Sequence, residues 1–162
     1  MRILVTADTH GPRHLLPLWL LEAATAADFV LHAGDVCDRD TLGQLAALAP
    51  VYAVQGNRDL GLSLPERLTV GAAGISIGLV HGHLGPGGDT PERAWRSFQP
   101  QPDVVVFGHS HRHLLERRGA CWLANPGSPT SPKDGRPSAL VLEASDGRIA
   151  WRRIGAQGGG DA

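Results

Sequence analysis

Five short apolar runs in this chain each end in side chains able to bind a metal ion, usually with glycine beside them. The run Ile3 to Ala7 leads into Asp8-Thr9-His10, and Phe29 to Ala33 leads into Gly34-Asp35. Val51 to Val54 leads into Gln55-Gly56-Asn57-Arg58-Asp59, and the run through Val80 into His81-Gly82-His83. Asp103 to Phe107 leads into Gly108-His109-Ser110-His111. Between these runs lie helical patterns: Leu15 to Ala27 is rich in alanine and leucine, and Asp38 is placed to cap a helix with Leu42, Leu45 and Leu48 on one stripe. Strands alternating with helices at this spacing predict parallel strands joined by crossover helices. Ligands in such sheets bind beyond the carboxyl ends of the strands, where glycine lets the backbone turn sharply and come close. One pattern thus constrains both the fold and the place of any site.

The rest of the chain is less regular. Leu68 to Val70, the Gly71 to Gly74 turn and Ile75 to Val80 read as a hairpin. Thr90 is expected to cap a helix with Pro91 at its first position, and Trp95 and Phe98 share a face of it. Four short segments, 113–118, 120–124, 138–144 and 148–154, are divided by turn residues and read as antiparallel strands. We expect one domain over residues 1–154 and a glycine-rich, disordered tail over 155–162.

Composition narrows the function classes. With 162 residues, 42% hydrophobic and 19% charged, the chain reads as an ordinary soluble globular domain. A chain of this length buries roughly 70% of its unfolded surface and needs no disulfide or zinc staple. The net charge of −1 offers no basic excess for nucleic acid, so a nuclease is disfavoured. Two cysteines, Cys37 and Cys121, cannot make a disulfide framework. No signal-peptide core and no apolar run of roughly 20 residues is present, so no membrane association is expected and a cytoplasmic location is.

The strand-end donors are carboxylate, amide and imidazole, with no thiolate, which suits manganese, iron, zinc, cobalt or nickel. Seven candidates, Asp8, His10, Asp35, Asn57, His81, His109 and His111, exceed what one tetrahedral ion uses. Two ions sharing a bridging carboxylate, about 3.5–4 Å apart, would suit in-line displacement at phosphorus. The residues alone therefore point to a two-metal hydrolase of phosphate esters.

The ordered set Asp8-x-His10, Gly34-Asp35, Gly56-Asn57-Arg58-Asp59, His81-Gly82-His83 and Gly108-His109-Ser110-His111 resembles the calcineurin-like metallophosphoesterase superfamily. The small bacterial and archaeal phosphodiesterase branch is the nearest in pattern, and Asn125-Pro126-Gly127-Ser128 resembles a further motif of those members. The resemblance implies an α/β (α+β) four-layer sandwich, two mixed β-sheets face to face flanked by helices. It implies that Asp8, His10 and His111 hold one ion, Asn57, His81 and His109 the second, and that Asp35 bridges, with manganese the first choice. It also implies hydrolysis of a small phosphodiester or nucleotide-like substrate by a metal-bridging hydroxide. Better-known branches carry a histidine after the motif asparagine. Here Arg58 stands there, a poor general acid but a good phosphate clamp. Leaving-group help is then weak, or comes from His83 or a metal-bound water. Phosphomonoesterase or phosphoprotein phosphatase activity is an alternative. So is a non-catalytic scaffold, as in the phosphoesterase-fold subunit of the retromer coat, although Asp35 and Asn57 favour an enzyme.

Other polar residues invite plainer readings. His83 divides evenly between substrate contact and a structural role, and Asp59 reads as an acceptor that orients a ligand, ahead of a plain turn residue. His113 reads as an exposed strand-start residue, and His14 and His32 as residues without chemistry. Cys37 reads as a small buried side chain and Asn125 to Ser128 as a tight turn. Pro129 to Pro137 reads as a rim loop whose Lys133 and Arg136 meet an anionic substrate.

Overall fold

The structure, a computed structural model, describes residues 1–10 and 16–156. Thirteen elements follow one another: β1 (Arg2–Thr6), α1 (Leu18–Thr25), β2 (Phe29–His32), α2 (Arg39–Ala46), β3 (Val51–Ala53), β4 (Arg67–Ala72), β5 (Ile75–Val80), α3 (Thr90–Arg96), β6 (Val104–Val106), β7 (His113–Arg118), β8 (Cys121–Pro126), β9 (Ser138–Ser145) and β10 (Arg148–Gly155). They form two five-stranded mixed sheets, ordered β10-β9-β1-β2-β3 and β4-β5-β6-β8-β7.

Parallel pairing runs through the centre of each sheet, as the strand–helix alternation predicts. Strand β1 pairs in parallel with β2 and β2 with β3, while β5 pairs in parallel with β6 and β6 with β8. Antiparallel strands flank these cores: β9 against β1, β10 against β9, β4 against β5, and β7 against β8. The last four strands therefore do not form one antiparallel sheet. The β7–β8 hairpin completes one sheet, and the chain then crosses so that β9 and β10 complete the other.

Strand periodicity sorts the apolar residues into layers. Ile3, Val5, Phe29 and Leu31 on one sheet meet Ile77, Leu79, Val104 and Val106 on the other in the central core. The alternate residues Leu4 and Val30 turn outward to Leu20 and Ala24 of α1 and Leu45 of α2. On the far side, Val80, Val105 and Leu123 pack with Ala94 and Phe98 at α3. Helices outside, sheets inside: the architecture is the four-layer sandwich.

Several boundaries differ from the sequence reading. Helix α1 begins at Leu18, after Pro17, and ends at Thr25; residues 11–15, including His14, lie outside the described residues. Helix α2 ends at Ala46, so Leu48 falls past it and is 39% exposed, leaving Leu45 as its buried contact. Helix α3 is capped by Asp89, whose carboxylate accepts from the Glu92 N–H. The Thr90 hydroxyl accepts instead from Arg93. Asn125 and Pro126 belong to β8, so the turn falls at Gly127, with φ +78°. Gly155 completes β10, while 157–162 of the expected tail lie outside the described residues. No helix among the described residues is long and apolar enough to cross a membrane.

Candidate metal centre

All seven strand-end donors converge at one edge of the sandwich. The ligand atoms of Asp8, His10, Asp35 and His111 all lie within 4.8 Å of one another. His10 Nε2 is 3.0 Å from His111 Nε2 and 3.8 Å from Asp35 Oδ2, and His111 Nε2 is 3.5 Å from Asp8 Oδ1. Beside this group, Asn57 Oδ1 lies 3.2 Å from His81 Nε2 and 3.1 Å from His109 Nδ1. His81 Nε2 is also 3.4 Å from Asp35 Oδ1. Asp35 thus turns one carboxylate oxygen to each group.

The protonation pattern shows what the cluster can hold. His81 Nδ1 donates to the Ala33 carbonyl at 2.7 Å, and His111 Nδ1 donates to the Ser131 carbonyl at 2.7 Å. In the neutral ring each therefore aims a lone pair from Nε2 into the centre. The His81 lone pair meets the oxygens of Asp35 and Asn57, which offer it no proton. Asp8 is fully buried, and neither of its carboxylate oxygens meets a hydrogen-bond donor among the described residues. Burial, and next the charge of Asp35, push the Asp8 carboxyl well above the usual carboxylate range. Burial pulls His10, His109 and His81 below the ordinary imidazole value, His81 to about 4. Neutral imidazoles facing crowded carboxylate and amide oxygens are what divalent cations bind, so the donor set fits a metal pair.

The backbone is shaped for this crowding. Asp8, His10, Asp35, His109 and His111 have φ of +54°, +44°, +55°, +67° and +55°. These are left-handed conformations that cost a non-glycine residue on the order of 1–3 kcal/mol each. Glycine serves a different need, close approach. A Cβ on Gly56 would stand 2.1 Å from Asp35 Oδ1, and one on Gly108 would stand 2.8 Å from the Ala7 Cβ and 3.0 Å from Asp8 Oδ2.

Buried residues around the cluster fix the loops. Asp59, fully buried, accepts from the backbone N–H groups of Asp35 (2.9 Å), Gly56 (2.7 Å) and Cys37 (2.7 Å), joining the loops after β2 and β3. Asn125 donates to the Gly108 carbonyl at 2.8 Å. Ser128 Oγ donates to the Asp8 carbonyl at 2.7 Å, and Thr130 Oγ1 to the Thr9 carbonyl at 2.8 Å. His32 is not idle: its Nε2 lies 3.1 Å from Thr9 Oγ1, at full burial. Cys37 is half-buried with Sγ 3.5 Å from His10 Nδ1, because its N–H is drawn to Asp59. His113 is half-buried and lies 3.2 Å from the Asn125 carbonyl. Of the two remaining candidates, Arg58 is exposed, and only its backbone N–H reaches Asp35 Oδ1, at 2.8 Å. The His83 ring sits 5.2 Å from that of His81 and 6.2 Å from that of His109, with Nδ1 buried and unpartnered.

The calcineurin-like phosphoesterase superfamily domain matches residues 1–147. A protein of Methanothermobacter thermautotrophicus named as a probable metallophosphoesterase is 36% identical over 146 residues, covering 88% of this chain and 85% of the relative. Among solved structures, wild-type Vps29 of Entamoeba histolytica complexed with zinc superposes with a TM-score of 0.81 at 29% identity, covering 94% of this chain and 91% of that one. Yfce, a phosphoesterase from E. coli, superposes with a TM-score of 0.66 at 27% identity, over 93% and 98% of the two chains.

Burial holds His32 down to about 4 from 6.5, which predicts the pH dependence of stability in metal-free protein. Between these values the unfolded chain binds a proton that the folded one does not, so stability falls as pH drops below 6.5. The wild type should lose about 2 kcal/mol between pH 7 and pH 5 through His32. Urea unfolding in chelator should show that part of the slope missing in His32→Gln; equal slopes would contradict it.

Proposed function

This chain belongs to the calcineurin-like phosphoesterase superfamily, and from that premise we propose that it is a divalent-metal-dependent phosphodiesterase. In this proposal Asp8, His10 and His111 hold one ion, Asn57, His81 and His109 hold a second, and Asp35 is shared. The observation that carries it is the pair of Asp35 oxygens, one turned to His10 at 3.8 Å and the other to His81 at 3.4 Å. Manganese is the proposed ion, with iron, zinc, nickel and cobalt suited by the same donors. Two such ions, when bound, supply Lewis acidity at a phosphoryl oxygen and acidify water to a nucleophile.

The chain's own residues do the rest. Asp59 and the Ala33 and Ser131 carbonyls hold the ligands in orientation. The Arg58 guanidinium, on a residue whose N–H is bonded to Asp35, clamps a phosphate oxygen. Burial keeps His83 below the ordinary imidazole value, so at neutral pH it is uncharged and forms hydrogen bonds to substrate without serving as a strong acid. Small diesters of nucleotide type, met in the cytoplasm, are the proposed substrates.

The likeness to Vps29 favours a second reading, a non-catalytic scaffold. Since that Vps29 structure is itself a zinc complex, metal binding alone does not separate the two readings, and turnover does. Hydrolysis of bis(p-nitrophenyl) phosphate should appear with manganese and vanish in chelator. Asp35→Asn should lower it at least about 100-fold together with metal content. No turnover with any of several metals supports the scaffold, and full turnover in Asp35→Asn with unchanged metal contradicts the shared-ligand assignment.

Without a strong acid at the leaving group, rate should depend steeply on leaving-group pKa, with activated aryl esters much faster than alkyl ones. A series of substituted phenyl diesters measures that slope. A flat wild-type dependence that steepens in Arg58→Ala would contradict it, because Arg58 would then be assisting departure.

A further inference from the structure

The segment after Gly127 lies across the Asp8–His111 end of the centre as a strap. Ser128 and Thr130 anchor it to the Asp8 and Thr9 carbonyls. His111 grips it from two sides, donating from Nδ1 to the Ser131 carbonyl at 2.7 Å and accepting at its own carbonyl from the Lys133 N–H at 3.0 Å. The backbone of Lys133 is therefore fixed against a candidate metal ligand, while its side chain is exposed.

The strap's carboxylate is already engaged. Asp134 pairs with Arg153 at 2.9 Å and accepts from the Arg136 and His113 N–H groups. The Arg136 carbonyl accepts from Arg153 of β10. Lys133 has no carboxylate within 4.0 Å among the described residues, and it is the chain's single lysine. An ammonium with no carboxylate partner among the described residues, carried on a backbone held against His111, is a point charge ready for an anion. Arg58 stands at the other end, beside Asp35.

We propose that Lys133 is a substrate-binding residue that holds a second phosphate group, beyond the phosphoryl group under attack, at the Asp8–His111 end. This rests on the phosphodiesterase reading and adds a substrate class to it: diesters that carry a terminal phosphate, such as short 5′-phosphorylated nucleotides. Of the two cations on the strap, Lys133 is the one whose backbone is held directly against His111.

The test compares a 5′-phosphorylated thymidine dinucleotide with its unphosphorylated counterpart on manganese-loaded wild type, Lys133→Met and Lys133→Arg. Wild type should show a lower KM for the phosphorylated substrate. Lys133→Met should raise that KM about tenfold, the loss of one charge-assisted contact, with kcat and metal content little changed. Lys133→Arg should restore it. Independently of turnover, the phosphorylated dinucleotide should protect Lys133 from amine acetylation, read by mass spectrometry. An unchanged KM in Lys133→Met, a loss of kcat together with metal, or no protection overturns the proposal. Protection without hydrolysis of either dinucleotide would sink the esterase reading and leave the Lys133 site standing.

Discussion

Oxygen and nitrogen donor atoms crowd one edge of this molecule, those of Asp8, His10, Asp35 and His111 all within 4.8 Å of one another. Asp8 and Asp35 are buried there, two histidines have their protons drawn away to backbone carbonyls, and Asn57 points its oxygen inward. Burial raises the Asp8 carboxyl and lowers the His81 imidazole, and such a cluster gains stability when a cation enters. Around it the sandwich is built in the ordinary way, by strand alternation and helix stripes.

Holding that crowding in place takes specific support. Five of the seven donors occupy left-handed backbone conformations, and they cluster where the loops leave the parallel strands. Asp59 stitches two of those loops with three charge-assisted hydrogen bonds, and the Ser128–Ser131 strap secures two more. The sheets contribute rigidity. Because β1, β2 and β3 are parallel, as are β5, β6 and β8, their carboxyl ends fall together and the donors converge without long loops.

Much of this was legible in the sequence, for a physical reason. A strand end that feeds a ligand must place the donor within a few residues of the apolar run, so Asp8, Asp35, Asn57, His81 and His109 announce themselves by position. Helix caps were less legible: Asp89 and Thr90 both suit the role, and only the three-dimensional position of Arg93 decides which oxygen is free. The partners that orient the site were mostly hidden. Thr9 with His32, Cys37 with His10, and the strap on His111 join residues far apart in the chain, through backbone groups that carry no sequence signature. The crossing of β9 to the first sheet was hidden too, since its alternation suits either neighbour.

The account stands on two cations occupying one cage, and anomalous diffraction from manganese-soaked crystals addresses that directly. Two peaks are expected, one among Asp8, His10 and His111, the other among Asn57, His81 and His109, with Asp35 between them. A single peak, or manganese elsewhere on the surface with these side chains turned apart, would contradict it.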